Sequence, residues 1–131
     1  MQSEDPSEEV RPERKIEWTL AIIIVSALLG ISFFACVNWK RKSDRAGCIM
    51  NIRNVQQGIR GWEGMTCQRE GHSPIDWAVI IGPTGYMREP KCPAGGTYRF
   101  QEILPNIGVL AMECSLCDTP ENHKPDSYAD W

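Results

Sequence analysis

The chain has 131 residues, with 14 Lys and Arg against 17 Asp and Glu and a net charge of −3. That balance excludes nucleic-acid binding through a basic field. The length, less one long apolar run, leaves room for a single small domain with a limited core.

The first residues mix Glu4, Asp5, Glu8, Glu9 and Glu17 with Arg11, Arg14 and Lys15, and include Pro6 and Pro12. With so little apolar content, residues 1–17 read as a short disordered tail.

From Trp18 to Trp39 no residue is charged: WTLAIIIVSALLGISFFACVNW. A helix needs about 20 mostly apolar residues to cross a hydrocarbon core, so residues 18–39 read as a transmembrane helix. Lys40, Arg41, Lys42 and Arg45 follow at once as a basic exit, suited to snorkelling at the headgroups. A cleaved signal is the weaker reading, because the apolar run is long for one. Phe34-Ala35-Cys36 has the ending of a lipoprotein cleavage site, but bulky Phe34 stands where a small residue is usual. A Cys36 that packs as a small apolar side chain is the simpler account.

Beyond the run, Cys48, Ile52, Val55, Ile59 and Trp62 recur at helical spacing. They form one apolar face of an amphipathic helix over residues 40–64, a packing face for the rest of the domain. Arg45, Asn51, Arg53, Asn54, Gln57 and Arg60 fall on the opposite face. Gly58, Gly61 and Gly64 each weaken a helix by up to about 1 kcal/mol relative to Ala, and place its end between Gly61 and Met65.

Residues 65–117 read as a small irregular domain. Ser73 is suited to capping a short helix, SPIDWAVII, with Pro74 in its first turn. Pro93-Ala94-Gly95-Gly96 is a turn. Thr97 to Gln101 and Val109 to Cys114 read as two strands of a hairpin on the long helix. Residues 118–131, acidic and containing Pro120 and Pro125, read as a loose tail. The fold class expected is α+β: one long N-terminal helix against a small domain with a short antiparallel sheet.

The order of these segments, with AGCIMNIRNVQQGIRGW and then KCPAGGTYRF, resembles the type IV pilins and type II secretion pseudopilins, above all small bacterial pseudopilin-like proteins. The matching positions are Cys48, Asn51, Ile52, Arg53 and Val55, then Cys92 to Tyr98, then Cys114 or Cys117 and His123. The resemblance implies a non-enzymatic, single-pass inner-membrane protein that meets lipid and other pilin-like or secretion-system subunits through its N-terminal helix. It also implies a periplasmic C-terminal domain. Two positions depart from the family pattern. Aligned on Thr19-Leu20, the prepilin peptidase site carries Glu17 where the family has Gly, and the family's helix glutamate is replaced by Ile22. The mature chain is therefore expected to keep its N-terminal tail. Counting Lys and Arg at each end of the apolar run gives a small bias toward a cytoplasmic C-terminal domain, and the resemblance is preferred over that count.

The six cysteines divide by position. Cys36 and Cys48 lie on apolar helix and read as small hydrophobes. Cys67, Cys92, Cys114 and Cys117 are disulfide candidates in an exported domain, with Cys92 to Cys114 or Cys117 favoured because a hairpin joins those segments. Such a crosslink is worth about 2–5 kcal/mol, and a chelator is expected to change little. The alternative is a tetrahedral zinc site from Cys114, Cys117 and His123, completed by Cys92, Cys67 or His72. That alternative makes the chain a membrane-tethered metal-binding or thiol-redox module. His72 and His123 otherwise read as surface histidines. No catalytic motif or phosphate-cradling loop appears, and no cofactor is expected.

Overall fold

The computed structural model describes residues 12–131, which form two units divided between Trp39 and Lys40. The fold is α+β, with one long helix and a two-stranded antiparallel sheet. Helix α1 (Pro12–Thr66) supplies residues to both units. Pro12 opens it, and its fixed φ and missing N–H suit a first helical turn. Pro12 to Glu17 are therefore helical rather than part of a disordered tail, and the remainder of that expected tail lies outside the described residues.

In the first unit the side chains of residues 15–36 are exposed, among them Ile22, Leu29, Phe33 and Phe34. The hydroxyls of this stretch turn back on the helix. Thr19 donates to the Ile16 carbonyl, Ser26 to that of Ile23 and Ser32 to that of Leu28, each at 2.8 Å. No polar hydrogen of these side chains then needs water, as a hydrocarbon environment demands. The segment is compatible with a single membrane-spanning helix.

The second unit builds its core on the remaining part of α1. Cys48, Ile52, Val55, Ile59 and Trp62 are all buried there, against Ile80, Leu104, Leu110 and Met112. This burial explains why the helix runs past Gly58, Gly61 and Gly64 to Thr66, beyond the expected end at residue 64. Intrinsic weakness of at most about 1 kcal/mol per glycine is smaller than the gain from burying Ile59 or Trp62. Cys67 then turns the chain with φ of 54°.

Helix α2 is one turn, Trp77–Ile80, shorter than the sequence implies. Ser73 does not cap it: its hydroxyl accepts from the Arg69 amide, and Pro74 pairs with Ile103 in an isolated bridge. Strand β1 (Tyr98–Phe100) pairs antiparallel with β2 (Met112–Cys114), with Tyr98 opposite Cys114.

Residues 118–131 are not a loose tail. Arg45 of α1 holds them through the Asn122 carbonyl at 2.7 Å and the Asp126 carboxylate at 2.6 Å. His123 is 1% exposed. The Trp131 carbonyl accepts from the Gly108 amide and from Arg60, and the Arg53 guanidinium lies over the Trp131 ring. The acidic Asp126 of this segment has its partner, Arg45, on α1.

Candidate metal centre

Four segments distant in sequence deliver one donor atom each to a single point in the second unit. Cys48 comes from the buried face of α1, and Cys92 from the turn before β1. Cys114 ends β2, and His123 comes from the C-terminal segment. Their donor atoms all lie within 4.8 Å of one another. His123 Nδ1 is 3.5 Å from Cys92 Sγ, and Cys114 Sγ is 3.8 Å from Cys92 Sγ. Cys48, Cys114 and His123 are each at most 1% exposed, and Cys92 is 9% exposed.

Close backbone approach makes this convergence possible. Gly47 faces the Pro93 ring, which a Cβ would meet at 3.0 Å, so a bare α1 backbone lets the Cys92 turn sit against Cys48. Gly96 passes over Cys114, whose Sγ a Cβ would meet at 2.8 Å. The Gly95 amide closes the turn by donating to the Cys92 carbonyl at 3.0 Å. Asn51, one turn along α1 from Cys48, donates to the Lys91 carbonyl at 2.9 Å and to the Tyr98 hydroxyl at 3.2 Å. It therefore fixes both Cys92 and Tyr98 relative to the helix.

A second layer of polar groups surrounds the sulfurs. The Tyr98 hydroxyl donates to Cys48 Sγ at 3.3 Å. Glu121 places a carboxylate oxygen 3.7 Å from His123 Nε2, on the far side of the ring from the sulfurs. Burial pushes the Cys48 thiol well above its ordinary range, against the pull of the Tyr98 hydrogen bond. Burial also raises Cys114, opposed by the Leu116 amide. Tyr98 is raised too, first by burial and then by its bond to Cys48. Negative charge on these sulfurs is thus costly in the absence of a cation.

The geometry rearranges the sequence-based assignments. Cys92, Cys114 and His123 do come together, but Cys117 is not the fourth member. It is half-buried on the turn after β2, and Cys48 takes that place. Cys67 is exposed at the end of α1, and His72 is exposed with its Nδ1 3.0 Å from the Glu70 carbonyl. His123 is a core residue, not a surface histidine. All six cysteines are free thiols, with no pair at bonding distance.

The sequence signal for Cys48 is its position at the head of the buried stripe, where it reads equally as a small hydrophobe. Tyr98, Asn51 and Glu121 carry no sequence signal for a role around sulfur. Chemically, three thiols and an imidazole in this arrangement can stay as a hydrogen-bonded cluster, close one disulfide between Cys92 and Cys114, or surround an ion.

No protein family, curated protein or solved structure matches the chain.

Proposed function

We propose that this chain is a single-pass inner-membrane protein with a non-enzymatic, structural or accessory role in a pilin-like or type II secretion-like assembly. The observation that carries the reading is the uncharged segment Trp18–Trp39 of α1, exposed from Trp18 to Cys36, whose hydroxyls are satisfied within the helix. An apolar surface of this extent calls for lipid or other helices around it. The pilin-like residue pattern around Cys48 and Cys92 points to the class of assembly and to a periplasmic second unit. The Cys48–Cys92–Cys114–His123 cluster supports a structural role, because its donors are shut inside the core rather than presented to a substrate.

Membrane fractionation and labelling test this reading. The full chain should stay with membranes through alkaline carbonate washing. A maleimide that cannot cross the inner membrane should label Ser127→Cys in a chain with Cys36, Cys67 and Cys117 replaced by Ser. Release by carbonate overturns the membrane anchor. Labelling only after permeabilisation overturns the periplasmic placement.

A further inference from the structure

We infer that Cys48, Cys92, Cys114 and His123 bind one zinc ion in a closed tetrahedral site that fastens the sheet and the C-terminal segment to α1. The inference stands independently of the membrane role.

Distances carry it first. Zinc bonds of about 2.3 Å to sulfur and about 2.0–2.1 Å to nitrogen, at tetrahedral angles, set S···S edges of about 3.8 Å and S···N edges of about 3.5 Å. The Cys114–Cys92 and Cys92–His123 edges are 3.8 Å and 3.5 Å. The remaining edges lie within 4.8 Å, so closing the tetrahedron moves donors by about 1 Å or less.

Donor chemistry carries it second. Three thiolates and one imidazole are a soft donor set that suits zinc and leaves a four-coordinate ion no open position. The divalent charge also reverses the electrostatic penalty on the buried sulfurs, since a coordinating thiol gives up its proton outright.

The outer shell carries it third. A histidine that ligates through one nitrogen usually offers the other N–H to a carboxylate or carbonyl. His123 turns Nδ1 to the sulfurs and Nε2 toward Glu121. The Tyr98 hydroxyl donates to the Cys48 sulfur, as a thiolate ligand requires.

The competing readings fit less well. A Cys92–Cys114 disulfide needs an S–S distance of about 2.05 Å, and it leaves Cys48 and His123 converging for no purpose. Apolar packing alone needs no imidazole in the core and no hydroxyl aimed at the Cys48 sulfur.

The test uses the full chain in detergent, purified through a tag free of histidine. Elemental analysis should find about one zinc per chain. Cobalt substitution should give the intense visible absorption of a tetrahedral thiolate site. Cys48→Ser and His123→Ala should lose the metal, while Cys67→Ser and Cys117→Ser retain it. Tyr98→Phe should weaken metal affinity by about 10–100-fold. If the ligand variants fail to accumulate, the wild-type chain decides. Cys48, Cys92 and Cys114 should resist alkylation until a chelator is added. Three results overturn the inference: a metal-free chain that gives no cobalt spectrum, zinc that survives Cys48→Ser but is lost with Cys117→Ser, or a Cys92–Cys114 disulfide in the membrane-extracted protein.

Discussion

Gln56 shows how much a single polar residue can decide when it is buried. It is 1% exposed on the same face of α1 as Val55 and Ile59. Its side-chain amide donates to the Val109 carbonyl at 3.1 Å and accepts from the Ala111 amide at 3.0 Å. The helix thereby pairs with the chain entering β2 much as another strand would. Replacing Gln56 by Leu keeps the volume but strands two backbone groups in the core, each of them costly to leave unpaired. We expect Gln56→Leu to lose about 1–3 kcal/mol in a thermal or denaturant melt of the full chain. Gln57→Leu, one position on and exposed, should change stability by less than about 0.5 kcal/mol. Equal effects would mean that the pairing adds nothing. Gln57 falls on the polar face by its spacing, but Gln56 could not be ranked from sequence, because the apolar spacing that marks Ile52, Val55 and Ile59 gives a buried glutamine no position of its own.

At the scale of elements, α1 and the hairpin were legible because their signals are periodic. The stripe from Cys48 to Trp62 repeats with the helix, Tyr98 and Phe100 alternate with polar neighbours along β1, and an apolar run from Val109 to Met112 leads into β2. The short elements were not. Ser73 has the composition of a helix cap, yet Pro74 joins Ile103 in a bridge and α2 begins at Trp77, an outcome set by a neighbour distant in sequence. The C-terminal segment misleads for the same reason, since Arg45, Arg53 and Arg60 order it from α1. Three of the four clustered donors, Cys92, Cys114 and His123, were legible as members of an alternative metal set, whereas Cys48 was not, because spacing within one segment cannot report convergence between four. Two glycines separate the roles that backbone can play here. A Cβ at Gly96 would stand 2.8 Å from Cys114 Sγ and 3.0 Å from Leu116 Cγ, whereas nothing lies within 4 Å of one at Gly64. Gly96→Ala should therefore displace a ligand, weaken zinc binding and cost about 1–3 kcal/mol. Gly64→Ala should raise stability by up to about 1 kcal/mol with metal content unchanged. A Gly96→Ala chain with wild-type stability and zinc content would show that the turn yields freely.

For the whole molecule, the question is what holds the second unit together. Its apolar surface is only partly used: Val79, Phe100, Ile103 and Val109, all apolar and all within the small domain, remain exposed. A domain of this size has little core to spare and usually relies on a crosslink or a metal. From sequence, disulfides take that part, and a reductant is the expected way to loosen the fold. Six free thiols and four converging donors reverse the expectation. A zinc ion joins four segments at one point, so its binding energy is folding energy, whereas a reductant has no bond to break. A melt of the full chain in detergent should shift to lower temperature with a chelator and stay in place with a phosphine reductant. Acidification should act like the chelator, because protons compete with the metal for the three thiolates and the imidazole. The sign of that effect is fixed by the ligands: the metal-bound chain loses stability as pH falls, and re-adding zinc at neutral pH restores it. A melt lowered by the reductant and indifferent to the chelator would return the crosslink to Cys92 and Cys114 and remove the ion from the account.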